Sequence, residues 1–143
     1  MYEEVRRWCA GSQGYRVMLY TYKDLVVWQK AVELAEQVYL VTESFPNTER
    51  YGLSSQMRRA SVSIASNIAE GRMRGTPRYC RTFFLHAFGS AGELDTQIQI
   101  AKRLPVIQSN DFFQIESLLG EILRMLNKMI ETLSNETKPT KNP

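Results

Sequence analysis

The run from Leu53 to Gly71, LSSQMRRASVSIASNIAEG, constrains this chain more than any other stretch. Met57, Ala60, Ile64, Ala65 and Ile68 recur at spacings of three and four. That spacing aligns them along one stripe of a 3.6-period helix and calls for partner helices to cover it. The stripe is narrow, and Ala60, Ser61, Ser63, Ala65, Ser66 and Ala69 crowd its neighbourhood. A helix so rich in small side chains can approach its neighbours more closely than a leucine-rich one. The pattern predicts a buried, central helix.

The polar residues of the same run carry a second expectation. Ser63, Asn67 and Glu70 share a face next to the Ile64/Ile68 stripe, and such a row is costly to bury without partners. Glu70 also precedes Gly71, where a helix end disfavours negative charge, so a compensating arginine is expected. Arg58, Arg59, Arg72, Arg74, Arg78 and Arg81 surround it, and Glu70 is the one acid between positions 58 and 81. Three readings follow: a solvated basic surface with one structural ion pair, a contact surface for nucleic acid or an acidic protein, and a catalytic carboxylate.

The flanking segments read as three more helices. Thr21 and Asp24 have the spacing of a capping pair, and Leu25, Trp28, Val32, Ala35, Tyr39 and Thr42 form a stripe widened by Val27, Ala31, Leu34, Val38 and Val41. Helix one is therefore expected from Lys23 to about Glu43, ended by Phe45-Pro46. Its broad apolar face suggests burial against both the bundle and a second subunit, with Trp28 and Tyr39 as oligomer-interface candidates. Ser54 or Ser55 is expected to cap helix two, and Gly71 to end it. Thr76-Pro77 is a strong start signal for a helix running to about Arg103. Gly89 and Gly92 inside it cost about 1 kcal/mol each, which predicts a close crossing with helix two. Ile115, Leu118, Leu119, Ile122, Met125, Leu126, Met129 and Leu133 mark helix four from about Asp111 to Leu133.

The expected fold class is thus all-α, an antiparallel up-down-up-down four-helix bundle over residues 21–134. Residues 1–20 are expected to be a loosely ordered N-terminal extension, with Met18 an alternative start, and 135–143 a disordered tail.

The 143 residues suffice for one domain with a real core. Cys9 and Cys80 are far apart and belong to no metal-ligand cluster, so reduced thiols are expected. His86 is the single histidine and sits among Phe83, Phe84, Ala87 and Phe88, a structural or surface setting. No metal, cofactor or catalytic residue is predicted: GRMRG lacks the lysine of a phosphate loop, and Glu70 with Glu93 lacks the Glu-x-x-His pairs of di-metal bundles. No apolar run reaches membrane-spanning length and no secretory leader is legible, so a cytoplasmic location is expected. The formal net charge is only +3, and its uneven distribution matters more than its size.

Arg58-Arg59-Ala60, Ser63, Asn67-Ile68-Ala69-Glu70-Gly71, Gly89-Ser90 and Glu93, with YKDLVVWQKAVELA and FPNTERYGLSSQ upstream, resemble the small four-helix-bundle proteins encoded in intervening sequences of bacterial 23S rRNA genes. The resemblance runs from about Tyr22 to Leu133. More distantly it extends to accessory proteins of diversity-generating retroelements, which bind a reverse transcriptase and nucleic acid. It implies a ring-shaped homopentamer with no established enzymatic activity. The functional expectation is a non-enzymatic oligomer that binds RNA or DNA through residues 58–81, with Arg58, Arg72, Arg74, Arg78 and Arg81 meeting phosphates. Arg59, Ser63, Asn67, Glu70 and Glu93 are expected to form a structural polar network, with Arg59 or Arg81 as its cation. The alternative is a scaffold or accessory protein whose partner is another protein.

Overall fold

In the computed structural model, which describes residues 21–49, 52–107 and 111–136, each apolar-periodic segment is a helix. These are α1 (Val26–Glu43), α2 (Leu53–Arg74), α3 (Pro77–Arg103) and α4 (Phe113–Glu136), with no strand among the described residues. The expected extension over 1–20 and most of the expected tail lie outside the described residues.

The helix ends depart from expectation in instructive ways. Thr21 and Asp24 do form a capping box, with the Thr21 amide donating to Asp24 Oδ2 at 2.7 Å. It closes a single 3-10 turn, Tyr22–Asp24, and Leu25 is extended, so α1 starts at Val26. Neither Ser54 nor Ser55 caps α2. Glu49 Oε2 accepts the Leu53 amide at 3.0 Å instead, and Ser54 is buried inside the helix. α2 also runs past Gly71 to Arg74 and stops at Gly75, whose left-handed φ of 73° suits glycine. α3 opens where Thr76-Pro77 predicts, with Thr76 Oγ1 accepting the Tyr79 amide at 3.3 Å.

Each helix packs along its chain neighbours and α1 closes on α4, leaving α1 diagonal to α3. The pairings run antiparallel: Ser63 meets Ser90 while Gly71 meets Phe83, and Arg81 meets Ser134 while Lys102 meets Glu116. Leu34, Met57, Ile64, Ile68, Phe84, Leu94, Ile98, Ile122 and Leu126 are fully enclosed at the centre. Lys30 Nζ ties α1 to Glu121 of α4 at 2.6 Å, and this hydrogen-bonded, charged partner holds the Glu121 carboxyl below its ordinary value.

The glycines reverse their expected roles. A Cβ at Gly71 would lie 3.0 Å from Phe83 Cβ and 3.2 Å from the Cys80 carbonyl oxygen, so this is where α2 and α3 close tightest. A Cβ at Gly89 or Gly92 would meet nothing within 4 Å. Both face outward, and the close crossing they were expected to serve is made by Gly71.

Cys80 corrects a further expectation. It is fully buried and disulfide-bonded rather than a reduced thiol; Cys9 lies outside the described residues.

Candidate functional site

The arginines of residues 58–81 do not form one outward face. Arg58 is half-buried and turns along α2 onto the end of α1, where its Nε donates to Thr42 Oγ1 at 2.8 Å. Its Nη2 reaches the Tyr39 carbonyl at 3.4 Å, and its guanidinium stacks 4.6 Å from the Tyr39 ring centroid. Arg58 thus satisfies carbonyl-end acceptors of α1, a position that suits a cation. Arg81 is also half-buried and donates from Nε to Ser134 Oγ of α4 at 2.8 Å. Arg72 is half-buried and is not a free cation; burial pushes its guanidinium below the ordinary value. Spacing alone grouped these three with the outward ones, because a charge run does not show which side of the helix each member takes.

Arg74 and Arg78 are exposed at the corner between α2 and α3. Arg74 Nη2 pairs with Glu70 Oε1 at 3.1 Å, both side chains about half exposed. Its guanidinium also lies 5.1 Å from the Phe83 ring centroid and 5.8 Å from that of Tyr79. The side chain of Arg78 makes no hydrogen bond or ion pair among the described residues.

The expected five-residue polar network resolves into a smaller one. Asn67 Nδ2 donates to the Ser63 carbonyl at 2.9 Å and to Ser63 Oγ at 3.0 Å, and Ser63 Oγ hydrogen-bonds Ser90 Oγ of α3 at 2.9 Å. Ser90 is the member that sequence reasoning quoted but left out of the network. Glu93 is exposed and, among the described residues, accepts only from Gln97 of its own helix, at 3.3 Å. Glu70 faces solvent with Arg74, so it is no buried anchor. Arg59 is exposed and bonds to none of the other members. Glu70 and Arg74 are four positions apart on one helix, which makes the local pair the cheaper solution.

Trp28 and Tyr39 lie along one apolar groove between α1 and α2. Two adjoining depressions of about 630 and 340 Å³ share Val32, Ala35 and Val62. Tyr22, Trp28, Ala65 and Ala69 line one end, and Tyr39, Leu40, Glu36 and Glu43 the other. Trp28 is half-buried with its ring edge-on to Tyr22 at 5.3 Å. Tyr39, Leu40 and Val62 are 47%, 61% and 43% exposed, which is a large apolar surface for a single chain to leave open. Leu40 and Val62 were missed because each falls outside the stripe of its own helix. Only the packing of α1 on α2 brings them together.

Residues 23–128 match the model of the family described as 23S rRNA-intervening sequence protein. The chain belongs to that family. A search of curated proteins finds no match for this family member. Among its described residues no three of His, Cys, Asp and Glu come together as a metal-holding group. No helix among them is long and apolar enough to cross a membrane.

Proposed function

We propose that this intervening sequence protein is a non-enzymatic, self-associating helical bundle that serves as a scaffold or accessory subunit for another protein. The observation that carries the reading is the open groove of Trp28, Val32, Tyr39, Leu40 and Val62, whose exposure to water is relieved when a second surface covers it. The inward use of Arg58 and Arg81 points the same way, since it spends on internal contacts part of the charge that a phosphate surface would need. A homo-oligomer follows, and the family resemblance makes a ring-shaped pentamer the assembly to test. Size exclusion with light scattering tests it: the reading expects several times 16.5 kDa, and a mass of one chain at micromolar concentration overturns it.

A second reading is supported by Arg74 and Arg78, which reach outward at the α2–α3 corner beside half-exposed Tyr79. In a ring this pair repeats in every subunit, and a basic pair next to an aromatic suits RNA or DNA phosphates with weak sequence selectivity. Fluorescence anisotropy across a salt series tests it. Arg74→Ala with Arg78→Ala should weaken binding to RNA and duplex DNA alike and flatten the salt dependence; no binding by the natural chain at low salt removes the reading.

The proposal carries a cytoplasmic location. The disulfide at Cys80 is the feature that runs against it, since such bonds are rare in reducing compartments. Alkylation of free thiols at the moment of cell lysis decides the point.

A further inference from the structure

The disulfide at Cys80 has one partner that the chain itself can supply. Cys9 is the only other cysteine in the sequence, and Cys80 is fully buried where α3 passes Gly71, with its backbone against α2. The two Cα atoms of a disulfide lie within about 7 Å of each other. The Cys80 of a second copy, enclosed in its own α2–α3 seam, cannot come that near without opening both seams. A terminal segment can. The 3-10 turn that follows residues 1–20 lies close by: Tyr22 lines the groove with Ala65 and Ala69, and Ala69 is two positions before Gly71 on α2, about 3 Å along the axis. Thr21 and Cys80 therefore sit at nearly the same level on two sides of one helix, about 10–12 Å across.

We propose that Cys9 of the same chain is the partner of Cys80, and that their disulfide fastens residues 1–20 to the Gly71 end of the α2–α3 seam as a latch that reduction opens. The chain from Cys9 to Thr21 spans up to about 40 Å when extended. Passing α2 at that level uses only part of this length, so the link closes without pulling the Tyr22–Asp24 turn from its place. The loop it closes holds about 70 residues and contains all of α1 and α2. Fastening a loop of that length lowers the entropy of the unfolded chain, so the oxidised protein is the harder to unfold. The chemistry is thiol–disulfide exchange. Two small-molecule thiols pass two electrons and two protons to the Cys9 and Cys80 sulfurs, the bond between these sulfurs breaks, and the two thiols leave joined as their own disulfide. The reverse exchange, with a small-molecule disulfide as oxidant, closes the latch. Cys80 faces α2 from the α3 side and lines no part of the groove, so the latch is independent of the oligomeric reading.

The test uses the full chain, incubated with excess glutathione disulfide, blocked with N-ethylmaleimide and digested with trypsin in the absence of reductant. Cleavage after Arg7, Arg16, Arg78 and Arg81 should give one species that joins residues 8–16 to residues 79–81, and reductant should split it in two. A denaturing gel run without reductant should show the mass of one chain. Reduction should lower the urea midpoint of the natural chain to that of Cys9→Ser, with the same circular dichroism spectrum for all three forms. Two free thiols, mixed disulfides with glutathione alone, or a band of two linked chains would overturn the pairing. A linked chain whose midpoint does not move on reduction would overturn the latch, because the bond would then hold nothing that unfolding has to release.

Discussion

On its α3 side, α2 closes so tightly that a Cβ added at Gly71 would lie 3.0 Å from Phe83 Cβ and make its neighbours give way, and Ser63 hydrogen-bonds directly to Ser90. On its α1 side the same helix presents residues just as small, Ala65, Ser66 and Ala69, yet a groove remains open above them. The difference lies in what the partner helix brings. α3 offers Cys80, Ala87 and Ala91 at its buried face, and a small-on-small seam draws the axes together. α1 offers Trp28, Val32, Tyr39 and Leu40 along its outer edge, and bulk there holds the rim apart. Small residues permit approach; the opposing side chains decide whether it happens.

Removing bulk from the closed side should have the largest effect. Ile64 is fully buried, and Ile64→Ala should cost about 2–5 kcal/mol in urea unfolding, as other large-to-small core changes do. Adding bulk to the same side comes next. Gly71→Ala should gain about 1 kcal/mol of helix propensity but lose about 1–3 kcal/mol to overpacking against Phe83 and the Cys80 carbonyl. The net loss should be visible in the unfolding midpoint. A stabilised Gly71→Ala variant would mean that the seam is looser than its geometry.

Much of this contrast was legible in the sequence and part of it was not. The four helices, the Thr76-Pro77 start and the central place of α2 follow from periodicity and capping chemistry, which are local. The roles of Gly71, Gly89 and Gly92 were inverted because a glycine inside a helical pattern says that something needs room or tolerates its absence, without saying where the neighbour is. Arg58 and Arg81 were read as outward cations because their acceptors, Thr42 and Ser134, are 16 and 53 residues away in sequence. Trp28 and Tyr39 could be singled out from the breadth of α1, while Leu40 and Val62 needed the pairing of two helices to become one surface.

Outside both seams, effects should be small. A buried Glu70 anchor would make Glu70→Gln cost about 1–3 kcal/mol. The exposed pair with Arg74 at 3.1 Å instead predicts a change of a few tenths of a kcal/mol. The Lys30–Glu121 pair gives the smallest and most specific signal, a dependence on pH. Its contribution is fully present above the ordinary glutamate value of 4.5 and is lost as pH falls through the lowered value in the folded chain. Glu121→Gln should therefore flatten stability against pH on the acid side and leave the slope near neutrality unchanged. An unaltered acid slope would show that the pair is not held in solution.

The central claim is that the open side of α2 is the self-association surface, and the most direct measurement is the mass of the natural chain beside that of a Leu40→Asp/Val62→Asp variant. Both substitutions fall on exposed groove positions, where a change should leave the helical content of the single chain intact. The account predicts several times 16.5 kDa for the natural protein and 16.5 kDa for the variant, with matching circular dichroism spectra. A natural chain already at 16.5 kDa, or a folded variant that keeps the natural mass, would contradict it.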